Sequence, residues 1–340
     1  MLEWANDLKI AGTSLYLDSR VSRGQCFVSH AHSDHICTHD SVIATAATAR
    51  LAGHRIGMTC AEPLAYGVDR MIDANTRVRL ISAGHVLGSA MIHVTGPEGT
   101  LLYTGDFKLR DSLTVESPQT MPADYLVMES TYGLPMFHFP PAETVRQQLL
   151  ELLEGALRDN RQPIVLAYTL GKSQEVARMI TDAGFNVTMH GATFAISQIY
   201  EELGTPLGKF RRYRPEDFHG AGAIDLRERG VLLAPPYVAR SAFVSRFDNP
   251  CRIIMTGWAL QKNAIYRYGV DHALPLSDHA DFDELLELIE RVQPRKVFAH
   301  HGFKEFVNEL QKRGIDAAPA RPDEQLMLFD SPEHVAWLED

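Results

Sequence analysis

His30-Ala31-His32-Ser33-Asp34-His35 places four potential metal ligands within six residues. The run before it, QCFVSH (25–30), is apolar enough to read as a strand that ends at His30. On a strand, alternate side chains share a face, so His30 and His32 can reach one cation. The turn that follows can aim Asp34 and His35 at a second. Imidazole and carboxylate without thiolate suit zinc, with manganese or iron as outsiders. A polar loop that merely happens to be His-rich is the bland alternative, and the rest of the chain decides between them.

Working outward, polar candidates recur where strands end. SLYLDS (14–19) alternates apolar and polar residues and closes near Asp18; RVRLISAGH (77–85) ends at His85; TLLYTGD (100–106) ends at Asp106; KVFAHHG (296–302) carries His301. Gly84 and Gly88 permit tight turns around His85. The turn signal Gly96-Pro97-Glu98-Gly99 joins MIHVT to TLLYTGD and predicts a hairpin. Each of these residues alone is more often structural. As a set in this order they suggest a rigid sheet with functional loops at one edge, where Asp106 could bridge two ions.

Pro135, Pro140 and Pro141 punctuate the chain, and the pattern then turns helical. Val145, Leu149, Leu152, Leu153, Ala156 and Leu157 share one broad face of a helix over 142–160. PIVLAY (163–168) reads as a buried strand, Ser173 as the cap of a helix stopping at Gly184, and FNVTMH (185–190) as the next strand. This alternation predicts a parallel sheet over roughly 134–271. Beyond it, Asp281 and Glu284 form a capping-box pattern that puts His279 just before a helix, and Gly314 ends the next one.

At 340 residues two domains are the default, and 45% apolar with 22% charged residues excludes disorder, collagen and coiled coil. No stretch approaches a membrane helix, and the N-terminus lacks a secretory apolar core. Four cysteines without a C-x-x-C pair disfavour a disulfide scaffold or thiolate zinc site and fit a reduced, cytoplasmic enzyme. The net charge of −10 disfavours a non-specific nucleic-acid coat, though not an enzyme with a local contact surface.

HAHSDH, AGHVLGSA and TGDF together resemble the metallo-β-lactamase fold. EST (129–131), SDHAD around His279 and HHG around His301 are similar to the extra motifs of its β-CASP nuclease branch. STYGLPMFHFPP, AYTLGKSQE, APPYVARSAF, TGWALQKNA and LSDHADFDELL look like bacterial ligase-associated DNA exonucleases, over most of the chain. The resemblance implies an α/β protein. An αββα sandwich would be built from residues 1–133 and 272–340, with a β-CASP cap inserted at 134–271 and substrate running through the cleft between them.

It also implies one metal on His30, His32 and His85, a second on Asp34, His35 and His301, and Asp106 bridging the two. Asp18 would support the ligands, with Asp34 and Asp106 serving the chemistry as well. The cofactors would be two divalent ions, zinc or manganese, with a hydroxide held between them as nucleophile. His279 would protonate the leaving oxygen and Glu129 would orient it. The implied activity is exonucleolytic trimming of DNA ends in repair, with DNA ligase or other repair enzymes as partners and no membrane association. An RNA-processing nuclease with the same site is the alternative. A non-catalytic scaffold is disfavoured because the ligand set is complete.

Substrate contacts are open between two readings. Gly171-Lys172-Ser173 is no P-loop, because Leu166 stands where a glycine is needed. Lys172 and Ser173 could hold a phosphate at a helix start or simply begin a capped helix. Lys209, Arg211, Arg212 and Arg214, interleaved with Phe210 and Tyr213, could track a backbone and stack a base, or form a solvated loop balanced by Glu216 and Asp217. Arg240 and Arg246 flank a further candidate surface, and His190 reads as structural.

Overall fold

The glycine-bounded turn does close a hairpin: Ala90–Gly96 and Gly99–Tyr103 pair antiparallel, with Leu101 opposite Val94 and Tyr103 opposite Ile92. The computed structural model describes residues 1–4, 7–215, 230–247 and 249–321. Two units emerge, Met1–His138 with His279–Asp340, and Phe139–Asp278.

In the first unit the hairpin belongs to a seven-stranded sheet. Its spatial order is Ala317–Pro319, Lys296–Gly302, Tyr125–Ser130, Gly99–Tyr103, Ala90–Gly96, Arg77–Ser82 and Asp69–Met71. A six-stranded sheet runs in sequence order from Leu2–Trp4 to Ala61–Pro63. Alternation along the strands builds two cores. Leu102, Leu126 and Met128 face the helices Phe282–Val292 and Lys304–Lys312, against Leu285, Leu288 and Phe306. Leu101, Tyr103 and Val127 point the other way and meet Leu15, Leu17, Phe27 and Ile43 of the six-stranded sheet. The helix Ala46–Ile56 makes the crossover between the parallel strands Ser41–Ala44 and Ala61–Pro63. The inner face being occupied, it covers the outer one. The result is helix, sheet, sheet, helix.

The second unit is a purely parallel six-stranded sheet, ordered Phe210–Arg212, Asn186–Met189, Gly230–Ala234, Gln162–Leu166, Pro250–Met255, His272–Leu274. Parallel sheets are covered on both faces, and every residue of Gln162–Leu166 and Gly230–Ala234 is buried. Val165, Leu233 and Ile253 face the helices Ala142–Arg158 and Lys172–Asp182, while Ile164, Leu232 and Ile254 form the opposite core. This unit begins later in the chain than the proline-rich boundary at 134. Tyr132, Leu134 and Phe137 are buried in the first unit, where Phe137 stacks on Phe303 at 6.0 Å. Among the described residues no helix is long and apolar enough to cross a membrane.

Candidate metal centre

The strand before the hexapeptide ends at Phe27, so His30 and His32 lie in the loop that follows it. The cause is Asp18, whose carboxylate takes the place of a neighbouring strand. Its Oδ1 accepts the Ser29 N–H (2.7 Å), and its Oδ2 accepts the Ser29 hydroxyl (2.6 Å) and the Tyr103 hydroxyl (2.8 Å). The same Oδ2 lies 2.9 Å from His35 Nδ1. With the Ser29 proton committed to Asp18, Ser29 Oγ is left to accept from His30 Nδ1 at 3.0 Å. Both imidazoles therefore keep their Nδ1 protons and turn Nε2 inward, the atom a metal would take once it is free of a proton.

Two other loops and a strand bulge bring the remaining donors. His85 sits in a loop whose N–H groups at His85 and Val86 donate to Ser89 Oγ. At Gly88 (φ 78°) the loop touches helix Ala46–Ile56, and an added Cβ would fall 2.5 Å from that of Ala47. Asp106 follows Gly105 (φ 53°), where a Cβ would lie 2.4 Å from Ser29 Oγ, so only glycine lets this turn reach the hexapeptide. His301 is the extra residue of a bulge: Glu129 pairs with His300 and Ser130 with Gly302. It adopts a left-handed φ of 44°, as Asp18 does at 43°. Strain of this kind, on the order of 1–3 kcal/mol per residue, persists only where surrounding contacts enforce it.

His32 Nδ1 lies 3.0 Å from both His30 Nε2 and His85 Nε2. The edge of a tetrahedral zinc site with nitrogen ligands is about 3.3 Å, so these three nitrogens are spaced as ligands of one ion. Ligand atoms of His30, His32, His85 and Asp106 all lie within 4.8 Å of one another, as do those of His35, Asp106 and His301. Asp106 is common to both groups. Asp34 Oδ2 adds a contact 3.6 Å from His35 Nε2. Asp34 Oδ1 and His35 Nε2 are buried without a hydrogen-bond partner.

The electrostatics point the same way. Burial, with His35 and His85 nearby, keeps the His30 pKa well below the usual imidazole range, so it is neutral. Burial opposes a charge on His35, yet Asp106, Asp34 and Asp18 raise its pKa well above normal. Burial likewise opposes ionisation of Asp106, and His35 and His279 nonetheless hold it well below the carboxylate range. Burial pushes Asp34 up to about 6. The pocket thus demands positive charge, and its orphaned donors fit divalent cations.

Beside these groups, Glu129 Oε1 accepts the Phe107 N–H (2.7 Å) and Oε2 the Thr131 hydroxyl (2.6 Å). Its two oxygens face His279 Nδ1 at 3.1 and 2.9 Å. Burial raises the Glu129 pKa against the pull of His279. The capping box of helix Phe282–Val292 forms as expected, and Glu284 does more than cap. Its Oε1 accepts the N–H groups of Leu109 (2.9 Å) and Arg110 (2.6 Å), just past Asp106. Arg110 pairs with Glu284 and Asp281 and donates from Nη2 to the His279 carbonyl at 3.0 Å. One guanidinium thus ties the His279 turn to the Asp106 loop.

The structure therefore gathers every expected ligand, with Asp18, Glu129 and His279, in one unit. Ser29, Tyr103, Arg110 and Glu284 were not visible as site residues. Ser29 could have been suspected as the neighbour of His30, whereas Arg110 and Glu284 meet across 174 residues and leave no local signal.

The substrate candidates fare differently. Gly171, not Ser173, is the N-cap of helix Lys172–Asp182. Ser173 is fully buried and donates to the Ala167 carbonyl at 3.0 Å. Lys172 is 3% exposed, with Nζ 3.5 Å from Asp278 and 4.5 Å over the Tyr168 ring. Both side chains are thus packed inside the cap. Arg211 Nε donates to Thr188 Oγ1 (3.0 Å), and Arg240 Nη2 to the carbonyls of Tyr266 (2.7 Å) and Arg267 (3.1 Å). Arg212 is exposed at the start of helix Gly191–Glu202, where His190 Nδ1 accepts the Ala192 N–H. Tyr213, which on one of the two open readings could stack a base, is buried against Phe243 and Phe247. Glu216 and Asp217 lie outside the described residues.

Comparison with known proteins agrees with this geometry. The Zn-dependent metallo-hydrolase RNA specificity domain matches residues 267–319. The chain is 36% identical over 330 residues to a protein named "Probable DNA ligase" from Opitutus terrae, covering 96% of this chain and 32% of that protein. It is 30% identical to the RNase J-like protein of Methanocaldococcus jannaschii, covering 81% and 80% of the two chains. It is 26% identical to the 5′ exonuclease Apollo of Gallus gallus, covering 80% and 57%. A solved protein of unknown function from Enterococcus faecalis shares the fold, with a TM-score of 0.57 at 15% identity over 81% of this chain and 74% of that one. Fold and site define a metallo-hydrolase with an inserted α/β cap. Within that class, the chain belongs to the metallo-β-lactamase/β-CASP nuclease family.

Proposed function

We propose that the chain is a DNA exonuclease that trims ends during repair and works with two divalent cations, zinc by the nitrogen-rich donor set. The observation that carries the catalytic reading is the sharing of Asp106 between two buried ligand groups, with the Glu129–His279 pair alongside. His30, His32 and His85 would hold one ion, Asp34, His35 and His301 the other, with Asp106 between them. Bound there, the cations supply electrophilic charge to a phosphodiester and make water a better nucleophile at neutral pH.

The protein's own part is to hold protons and geometry. Asp18 and Ser29 fix the tautomers of His35 and His30. Glu129 keeps the His279 proton on Nδ1 and so directs Nε2 toward the chemistry, where the ring can give a proton to the departing oxygen. Arg110 fixes the backbone from which His279 projects.

DNA as substrate is supported by the near-complete coverage of this chain by the relative named a DNA ligase, and the exonuclease mode by the relative named a 5′ exonuclease; a ligase or other repair enzyme is the partner this suggests. RNA remains the second reading, because the matched RNA specificity domain and the RNase J-like relative favour it. Cytoplasmic residence fits four cysteines that are all unpaired. Digestion of end-labelled single- and double-stranded DNA and RNA of matched sequence, with zinc or manganese, tests the proposal. Mononucleotide release from DNA ends is expected, and preferential cutting of RNA would overturn the choice of substrate.

A further inference from the structure

We propose that Tyr237 and Tyr266, presented on a basic surface of the cap and tied together by Arg240, form a stacking platform for single-stranded nucleic acid. The inference rests on the nuclease reading and names the form of substrate the cap receives.

Pro235 and Pro236 stop the strand Gly230–Ala234 and start the short turn Pro236–Val238, which throws Tyr237 outward at the C-terminal edge of the parallel sheet. Ligands of open parallel sheets bind at that edge. The Tyr237 ring meets the His190 ring edge-on at 6.2 Å, which fixes its direction, yet the residue is 59% exposed. Tyr266, in the helix Ala264–Tyr268, is 77% exposed. Arg240, at the end of the Tyr237 turn, donates to the carbonyls of Tyr266 and Arg267. Gly269, at φ 65°, makes room for it: a Cβ there would lie 2.4 Å from Arg240 Nε. The segments bearing the two tyrosines are therefore locked together.

The charge of this region is opposite to that of the chain. Between Gly230 and Asp271 the acids are Asp248 and Asp271, the second paired with Arg252, against Arg240, Arg246, Arg252, Lys262 and Arg267, in a protein of net charge −10. Arg246 and Lys262 are exposed and form no ion pair among the described residues. Exposed aromatic rings beside unpaired cations suit a chain of stacked bases and phosphates, and bases offer their faces only when unpaired. A duplex would use the cations but not the rings.

Anisotropy of labelled (dT)20 and of a 20-base-pair duplex, measured on the full chain in chelator to prevent cleavage, tests this. Replacing both Tyr237→Ala and Tyr266→Ala should weaken (dT)20 binding by at least about tenfold, while Tyr237→Phe with Tyr266→Phe binds like wild type. Duplex binding should change little. Arg246→Gln with Lys262→Gln should make the salt dependence shallower, by roughly one unit of slope per charge. Unchanged (dT)20 binding by the alanine pair, equal weakening by the phenylalanine pair, or equal loss on duplex would each overturn the platform. The phenylalanine pair keeps the test decisive if the alanine pair unfolds. Metal-loaded wild type is assayed separately for DNA cleavage: cleavage with no effect of the tyrosines sinks the platform alone, and inertness toward every polynucleotide sinks the nuclease reading.

Discussion

The two units bury polar groups in opposite ways. In the cap, buried polar residues serve the fold: Ser173 donates to a carbonyl, Lys172 pairs with Asp278, and Gln174 closes the helix start by accepting from the Gly171 N–H. In the sandwich, His30, His35, Asp34 and Asp106 are as deeply buried, yet Asp34 Oδ1 and His35 Nε2 are left without a hydrogen-bond partner. Burial without satisfaction is costly, and here the unsatisfied atoms lie among converging donors that suit a cation. The cap keeps its unpaired charge on the outside instead. The units thus differ in what their buried polar groups do: in the cap these pair within the fold, and in the sandwich they converge as potential ligands.

The most severe way to break this division is Asp106→Ala. It removes the carboxylate common to both ligand groups and should lower cleavage about a thousandfold or more, with loss of bound metal in elemental analysis. Retained activity at the wild-type rate would show that the sandwich is not the reactive unit. His279→Ala should cost about 10²–10⁴-fold on nucleic acid while metal content stays unchanged. The loss should shrink on a p-nitrophenyl phosphodiester, whose leaving group needs no proton. An equal loss on both substrates would make His279 something other than an acid.

A smaller effect is expected from Arg110→Met. It leaves Glu284 and Asp281 without their cation and should destabilise the sandwich by about 1–3 kcal/mol, allowing for the partial exposure of Arg110. kcat should fall more than KM rises, because the His279 carbonyl loses its anchor. Arg110→Lys should recover part of it, and a proportional change in both constants would assign Arg110 to binding.

The smallest effect sharpens the cap side. Burial works against the charge on Asp271, but the Arg252 N–H and the guanidinium groups of Arg161 and Arg252 hold its pKa below the usual carboxylate range. A depressed folded-state pKa stabilises above the ordinary aspartate pKa, and that contribution is lost as pH falls through the depressed value. Asp271→Asn should cost about 1 kcal/mol near neutrality, discounted for solvent screening, and nothing at low pH. Denaturant midpoints at the two pH values check it, and an equal shift at both would remove the charge from the explanation.

Much of the sandwich site was legible because its donors cluster within short segments of chain or end recognisable strands. The hexapeptide, the Gly96–Gly99 hairpin and the Asp281–Glu284 cap are local chemistry. What escaped was non-local. Nothing near Phe27 announces that Asp18 will end the strand there, and the bulge at His301 exists only against Glu129 and Ser130. In the cap, Ser173 and Tyr213 carry functional-looking neighbours, yet burial decides their use, and burial depends on partners such as Ala167 and Phe243 that sequence spacing does not reveal.

The strand that carries His301 lies between Tyr125–Ser130 and Ala317–Pro319. During synthesis, every residue of the inserted sheet emerges from the ribosome before that strand does. Translation delivers about 5–20 residues per second, so for roughly 10–40 s the nascent chain holds most of the expected ligands but lacks the last one. The ligand set therefore closes only when Lys296–Gly302 pairs with Tyr125–Ser130, after the whole inserted sheet has been made.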